Sequence, residues 1–243
     1  MPMNFDLAAM ARISGVFCET GTFYGGGVIQ ALDAGFRRIA SIEVDPRNQA
    51  VAREKLAEHP LSNEAEIELL LGDSAERMDQ LIAFARASGS PHPVFWLDAH
   101  THLFEDGGAT EGVACPLEQE LAAIDAAFGG RAIVLIDDLR IIGKDSEPIR
   151  GRRQRLLAAW RLLLRPERFT EMIRPGWGGR VSLLSLLRSA VGDHDVSLRL
   201  LDGVERRDVA CVYPSSLHAG LFGHPGVRSP TESAPSATPR LAG

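Results

Sequence analysis

The sequence predicts an α/β protein built on a doubly wound, mostly parallel sheet of seven strands that ends in an antiparallel hairpin. Short apolar runs alternate with helix-like segments between residues 15 and 136, which is typical of parallel strands covered by helices on both faces. Two more strand-like runs, VSLRLL and RDVACVY, flank Asp202 and Gly203 and predict the hairpin. The length of 243 residues suits a single domain.

The first half of the chain repeats a strand followed by a helix three times. Gly35 is suited to end the first helix, because glycine readily takes the left-handed conformation found there. Pro60 stops the second helix, since proline cannot continue it. In chain order we predict a strand at 15–19, a helix at 26–35, a strand at 36–44, a helix at 47–59, a strand at 67–71 and a helix at 75–87.

The second half begins with VFWL (94–97), whose length and aromatic content indicate a buried strand. Pro116 opens a helix that Gly129 and Gly130 close, since proline is favoured at the first helical position. RAIVLI (131–136) is the next apolar strand. The two strands of the hairpin then complete the seven.

The segments outside these elements define the domain organisation. An amphipathic run, RRQRLLAAWRLLLR, and the loop PGWGG fall between residues 145 and 180, and we interpret this stretch as an inserted helix or lid over the site. Residues 224–243 are rich in Pro, Ser, Thr and Gly, so we expect a disordered tail. The prediction is one domain over residues 1–223.

Composition and cysteine use indicate a globular protein from a reducing compartment. The chain is 45% hydrophobic and 24% charged. Cys18, Cys115 and Cys211 are widely spaced and form no pair motif. The N-terminus does not resemble a signal peptide, and no apolar stretch is long enough to span a membrane. We therefore expect a cytoplasmic protein with no membrane partner.

One basic segment contrasts with the net charge of −6. Residues 140–190 contain twelve Arg or Lys and only four acids. Such a segment can attract an anionic substrate or nucleic acid, or it can form a solvated helical face whose arginine stems cover apolar surface. We favour the second interpretation, because no RNA-binding motif with interleaved aromatic residues accompanies the charge.

Acidic residues follow all five predicted parallel strands. In open parallel sheets, ligands bind beyond the carboxyl ends of the strands, and charge placed by chance would be scattered over both edges. This edge is therefore the predicted site. The residues at the five strand ends are Glu19, Glu43, Asp73, Asp98 and the pair Asp137-Asp138.

The first strand leads into a glycine-rich turn that can approach a ligand closely. Gly21 and residues 25–27 are glycines, and the helix that follows offers free N–H groups. Glu43 lies at the spacing from this turn that ribose recognition requires. Glu19 beside the turn would repel a pyrophosphate and suit a cationic cofactor, which disfavours NAD and favours S-adenosylmethionine.

Five motifs in order, ETGT, SIEVD, GDS, FWLDAH and LIDDLR, resemble those of the class I S-adenosylmethionine-dependent methyltransferases. Within that superfamily the chain resembles a bacterial group of small-molecule methyltransferases related to the macrocin-type and catechol-type O-methyltransferases. The resemblance covers residues 14–142 and, more faintly, 177–214. It implies a Rossmann-like fold, S-adenosylmethionine as the cofactor and Mg²⁺ as a metal.

The resemblance also implies a contact for each part of the cofactor. Glu19 and Gly21 would lie along its methionine, and Glu43 would hold the ribose hydroxyls. Asp73 and Ser74 would contact the adenine. The remaining expected contacts are Thr22, Phe23, Gly25, Val44 and Asp98. Phe23 departs from the glycine that many of these enzymes have there, and a helix N-cap is the alternative role of Glu43 and Asp73.

The metal-dependent O-methyltransferases hold magnesium with an aspartate after strand four and an acid pair after strand five. Asp98, Asp137 and Asp138 stand in those places. Adjacent strands lie about 4.8 Å apart, so these carboxylates can converge on one hard cation. Asp98 and His100 are the predicted catalytic residues, with His100 as general base. Alternatively, His100 is bonded to the backbone of its loop.

The predicted function is enzymatic methyl transfer to a hydroxyl of a small molecule or sugar. Whether the enzyme forms a homodimer is left open. One alternative is a protein that binds S-adenosylmethionine or a nucleotide without catalysis, which the presence of all three acids disfavours. A second is a metal-dependent hydrolase using Asp98, His100 and His102, although no other histidine follows a predicted strand. A nucleic-acid methyltransferase is disfavoured because no N-P-P-Y or D-P-P-Y tetrapeptide follows strand four.

Overall fold

A computed structural model describes residues 3, 5–99, 116–138, 194–203 and 208–223. These residues contain one sheet of seven strands. Its strands are β1 (Val16–Thr20), β2 (Arg38–Glu43), β3 (Glu66–Leu71), β4 (Val94–Leu97), β5 (Ile133–Ile136), β6 (Val196–Leu201) and β7 (Val209–Pro214).

The strand order across the sheet is β3-β2-β1-β4-β5-β7-β6. The first five strands are parallel to one another, whereas β7 is antiparallel to both β5 and β6. The order reverses between β1 and β4, so a crevice is expected at the carboxyl ends of these two strands.

The described helices are α1 (Leu7–Ser14), α2 (Gly26–Ala34), α3 (Pro46–Glu58), α4 (Ser74–Ala87), α5 (Leu117–Phe128) and α6 (His218–Phe222). Local sequence sets their ends. Asp45 caps α3 by accepting a hydrogen bond from the Arg47 N–H, and Pro46 occupies the first position. Gly35 ends α2 and Gly129 ends α5, both in the left-handed conformation.

Both faces of the central strands are buried, which explains their apolar character. Val16 and Cys18 of β1 belong to the cluster beneath α4 and α5, while Phe17 belongs to the cluster on the opposite face, beneath α1 and α2. Every residue of β1, β4 and β5 is buried. Among the described residues, no helix combines the length and the apolarity that a membrane crossing requires.

The predicted fold class is confirmed, including the mostly parallel sheet and the antiparallel hairpin at its end. Two details differ. The helix α1 was not predicted, and β6 and β7 are joined by residues 202–208 rather than by a tight turn at Asp202-Gly203. The predicted lid (145–180) and the predicted tail (224–243) lie outside the described residues, so the single domain over 1–223 stays a prediction.

Candidate functional site

The register of the sheet places the predicted acidic residues along one edge. Glu43 is the last residue of β2, and its carbonyl accepts the Gly72 N–H at 2.8 Å. The Asp98 N–H bonds to the carbonyl of Thr20, the last residue of β1, and the Asp137 N–H bonds to that of Leu97, the last residue of β4, both at 3.1 Å. The carboxyl ends of the five parallel strands therefore lie in one row.

Gly21 lies where the strand order reverses, and its lack of a side chain is required there. Its φ is +84°, and a Cβ at this position would lie 2.6 Å from the Asp98 carbonyl oxygen. The loop after β1 therefore packs directly on the backbone of the loop after β4. The N–H groups of Gly21 and Thr22 donate to the Ile42 carbonyl at 2.9 and 3.0 Å, which fixes the turn against β2.

Glu43 holds this turn in place through its carboxylate. Its Oε2 accepts the Phe23 N–H at 2.6 Å, and its Oε1 accepts the Asp45 N–H at 2.9 Å. Phe23 has a φ of +48°, a conformation that is strained for a residue with a side chain. Asn48 Nδ2 donates to Oε1 at 3.5 Å. Since a carboxylate can accept about four hydrogen bonds, Glu43 keeps the capacity to bind a ribose hydroxyl.

The helix-cap alternative holds for one of the two acids to which it was applied. Asp73 caps α4, because its side chain accepts the Ala75 N–H at 2.9 Å. Glu43 caps no helix, since Asp45 takes that role for α3. Ser74 is the first residue of α4 and is almost fully buried.

Glu19 points into the interior beside the turn. The Ser41 hydroxyl donates to its Oε2 at 2.6 Å, and the Thr22 and Ser41 hydroxyl oxygens lie 2.5 Å apart. A Cβ at Gly27 would lie 1.8 Å from Glu19 Oε1, so a glycine at that position makes room for the carboxyl group. Burial raises the pKa of Glu19 to about 8. A cation bound nearby would lower that pKa and favour the charged carboxylate.

Apolar side chains are exposed at the same edge, around Glu43. Phe23 and Tyr24 in the turn have ring centroids 3.8 Å apart, and they are 47% and 42% exposed. Val44 follows β2 and Leu71 ends β3, and both are also exposed. Exposed apolar groups beside a buried carboxylate provide the mixture of contacts that a nucleoside site needs.

A cluster of buried carboxylates lies at the ends of β5 and β7. One oxygen of each of Asp137, Asp138 and Asp208 lies within 4.8 Å of the others. Asp138 has a φ of +55°, and its N–H donates to Asp137 Oδ1 at 2.7 Å. Oxygen donors of this kind suit a hard divalent cation such as Mg²⁺.

Asp98 is outside this tight group but close enough to interact with it. Burial raises the pKa of Asp98 well above its ordinary value, and the charges of Asp137, Asp138 and Glu19 raise it further. The sequence analysis missed Asp208. The signal was available: β7 runs antiparallel, so its beginning lies at the edge where the parallel strands end.

The sequence analysis also missed a second buried acid, Glu120, in α5. It is 1% exposed, and burial raises its pKa to about 7, while the nearby hydroxyls of Ser74 and Thr20 act in the opposite direction. The predicted catalytic residue His100 and its neighbour His102 lie outside the described residues.

Comparison with known proteins supports the fold. No protein-family model and no curated protein sequence matches the chain. Solved structures do match over 86% of the chain. One is a protein of Staphylococcus aureus assigned as a caffeoyl-CoA O-methyltransferase, with a TM-score of 0.51, 12% identity and 81% of that chain covered. Another is the Podospora anserina methyltransferase PaMTH1 bound to S-adenosylhomocysteine, with a TM-score of 0.51, 13% identity and 76% covered.

At these identities the likeness is one of fold. The described sheet and helices have the Rossmann-like fold found in these two methyltransferase structures. The fold that the resemblance of the five sequence motifs implies is therefore confirmed.

Proposed function

We propose that this protein is an S-adenosylmethionine-dependent methyltransferase that methylates a hydroxyl group of a small molecule or sugar with the help of a divalent metal. The observation that carries the proposal is the edge of the sheet at the β1–β4 crevice. There, a glycine turn packed on the Asp98 backbone, the Glu43 carboxylate and a cluster of buried aspartates lie side by side.

The residues of this edge fit the proposed cofactor. Gly21 lets the turn pack on the Asp98 backbone at the crevice, and Glu43 keeps the capacity to accept a ribose hydroxyl beside its contacts with Phe23, Asp45 and Asn48. Asp73 and Ser74, after β3, would contact the adenine. Thr22, Phe23, Gly25 and Val44 would complete the site, in keeping with the exposed apolar groups found there.

Glu19 and Asp98 give the site a preference for a positively charged ligand. Both carboxyl groups are buried; the charge of Glu43 raises the pKa of Glu19, and the charges of Asp137, Asp138 and Glu19 raise the pKa of Asp98. A cationic sulfonium or ammonium group would relieve this repulsion, whereas a pyrophosphate would increase it. The electrostatics therefore support S-adenosylmethionine over a dinucleotide.

When bound, S-adenosylmethionine supplies an electrophilic methyl group: the acceptor oxygen forms the new C–O bond while the S–CH₃ bond breaks. The protein's contribution is to position the two reactants and to take the hydroxyl proton. Asp98, which follows β4, would orient the acceptor. His100 would receive the proton as general base.

The metal would be held by Asp98, Asp137 and Asp138, and the geometry adds Asp208 to the candidates. A cation here would offset the mutual repulsion of these carboxylates, and it would lower the pKa of a coordinated acceptor hydroxyl. The cytoplasmic location and the small-molecule partner remain part of the proposal, and homodimerisation stays open.

Calorimetry with S-adenosylhomocysteine tests the cofactor assignment. We expect the wild-type protein to bind S-adenosylhomocysteine. Glu43→Gln removes the carboxylate, and its binding is expected to be weaker by at least about tenfold, which corresponds to the loss of roughly one charge-assisted hydrogen bond. Absence of binding by a folded wild-type protein would overturn the proposal and favour the metal-dependent hydrolase.

Calorimetry with Mg²⁺ tests the metal assignment separately. Asp98→Asn is expected to lose Mg²⁺ affinity and Mg²⁺-dependent methylation while keeping most of its affinity for S-adenosylhomocysteine. Unchanged Mg²⁺ affinity in Asp98→Asn would contradict the proposed ligand set. The same measurement on Asp208→Asn decides whether this aspartate belongs to that set.

A further inference from the structure

Two separate features of the fold hold the Glu19 carboxyl group. On one side, the Ser41 hydroxyl of β2 donates a hydrogen bond to Glu19 Oε2 at 2.6 Å. On the other side, Glu19 Oε1 lies 1.8 Å from the position that a Cβ of Gly27 would take. Glu19 and Ser41 are 2% and 0% exposed, so bulk water does not compete for this hydrogen bond. One oxygen is thus bonded to β2, and the other lies against the first turn of α2.

The Ser41 hydroxyl also joins Glu19 to the glycine turn. Thr22 Oγ1 lies 2.5 Å from Ser41 Oγ. Ser41 has one hydroxyl hydrogen and donates it to Glu19, so the Thr22 hydroxyl is the donor in this second bond. The Thr22 N–H donates to the Ile42 carbonyl at 3.0 Å. Strand β2 therefore holds the turn and the carboxyl group in one fixed arrangement.

The second oxygen of the carboxyl group keeps the capacity to accept a hydrogen bond from a ligand. The hydrogen bond from Ser41 goes to Oε2, and within the part of the chain that the structure describes none to Oε1 is found. Glu43 and Asp98 are close enough for their charges to interact with that of Glu19. An ammonium group suits this environment, because it carries a positive charge and three N–H donors.

From this arrangement we infer that Ser41 and Gly27 are positioning residues of the cofactor site, which hold the Glu19 carboxyl group so that Oε1 accepts a hydrogen bond from the ammonium group of the bound methionine part. The inference rests on the proposed function. It goes beyond that function because both residues act through Glu19 rather than by touching the cofactor.

Gly27 separates this role from the conformational needs of the turn. Gly21 and Gly25 have a positive φ, which favours glycine in any case, whereas Gly27 lies inside α2 and has none. The three nearest atoms that a Cβ of Gly27 would meet all belong to Glu19. Alanine is also favoured over glycine inside a helix by about 1 kcal/mol. Gly27→Ala is therefore expected to displace the Glu19 carboxyl group without straining the backbone of α2.

Calorimetry with two nucleosides that differ in the ammonium group tests the inference. S-adenosylhomocysteine carries this group, whereas methylthioadenosine has the same adenosine and a thioether but lacks the amino acid part. We expect Ser41→Ala and Gly27→Ala each to lower the affinity for S-adenosylhomocysteine about tenfold, the equivalent of roughly one charge-assisted hydrogen bond. The affinity of both variants for methylthioadenosine is expected to equal that of the wild type.

The same substitutions in a Glu19→Ala background show whether they act through Glu19. Once the carboxyl group is absent, neither Ser41→Ala nor Gly27→Ala is expected to lower the affinity for S-adenosylhomocysteine further. Ser14→Ala is the matched control, since the Ser14 hydroxyl donates to the Val16 carbonyl at 2.9 Å at the opposite end of β1. It is expected to bind both nucleosides as the wild type does.

An equal loss of affinity for both nucleosides would overturn the inference, because a general disturbance of the turn would affect the adenosine that they share. Full affinity for S-adenosylhomocysteine in both single variants, or a further loss in the Glu19→Ala background, would overturn it as well. Gly27→Ala provides the test if Ser41→Ala does not fold. Failure of the wild type to bind either nucleoside would instead overturn the proposed function, and this inference with it.

Discussion

Glu19 shows how a single buried carboxyl group couples the site to pH. Its folded-state pKa of about 8 lies above the ordinary value of 4.5 because of burial. The stability that the neutral carboxyl contributes is therefore fully present below about pH 4.5 and is lost as the pH rises through 8. This pH dependence of stability is expected of the cofactor-free protein, since a bound cation would lower the pKa of Glu19.

The variant Glu19→Gln removes this titration, and urea unfolding at pH 5.5 and pH 8.5 measures the effect. Relative to the wild type, the free energy of unfolding of the variant is expected to be higher at pH 8.5 than at pH 5.5. Between these two pH values, the difference in free energy of unfolding between the variant and the wild type is expected to change by on the order of 4 kcal/mol at most. A difference between variant and wild type that does not change with pH would contradict the assignment.

At the same scale, the two acids that the sequence analysis missed each carried a readable signal. Asp208 precedes β7, and the beginning of an antiparallel strand lies at the same edge as the ends of the parallel strands. Glu120 recurs at the spacing of the core-facing residues Leu117 and Ile124 in α5. In a sequence, an acid on the apolar face of a helix is therefore a candidate functional residue, as is an acid at the end of a strand.

Among the elements, α3 supports the glycine turn by direct packing. A Cβ at Gly25 would lie 3.2 Å from the Cβ of Ala52, so the turn and the helix are in close contact. Ala52→Leu adds atoms where the packing leaves little room, and the turn is expected to move. We predict that its affinity for S-adenosylhomocysteine falls about tenfold or more, measured by calorimetry.

The exposed Ala57 on the same helix provides the matched control. Ala57→Leu adds the same atoms on the solvent side and is expected to bind as the wild type. If both variants kept full affinity at unchanged melting temperature, the packing of α3 against the turn would have no role in holding the cofactor.

The boundaries of most elements could be predicted because apolar runs and breakers define them locally. VFWL and VSLRLL coincide with β4 and β6, and Gly35 ends α2 as expected. The missed helix α1 also had its signals, since Asp6 caps its first turn and Gly15 ends it with a φ of +72°. The long connection between β6 and β7 could not be predicted, because Asp202-Gly203 is by itself a good turn sequence.

For the whole molecule, the sequence pattern predicted the layers but not the order of the strands. Alternation of strands and helices requires a parallel sheet with two buried faces. It does not determine that β7 lies between β5 and β6, since that depends on tertiary packing. The convergence of acids from several strands on one edge followed from the parallel arrangement alone, which is why most of the candidate site could be found before the fold.

The C-terminal part of the chain offers a test at this scale. The described fold ends with α6, whose Leu221 is buried against the same core cluster as Leu7 and Met10. The buried Tyr213 hydroxyl and Nδ1 of His218 lie 2.8 Å apart and link α6 to β7. Residues 224–243 follow α6 and are predicted from their composition to be disordered.

Truncation after Gly223 is therefore expected to leave both the melting temperature and the affinity for S-adenosylhomocysteine unchanged. Truncation after Pro214 removes α6 and uncovers part of the core, so the melting temperature should fall by roughly 5 °C or more. Thermal unfolding followed by circular dichroism compares the two truncated proteins with the full chain. A destabilisation of similar size in both would mean that residues 224–243 contribute to the fold, and the predicted boundary at residue 223 would then be wrong.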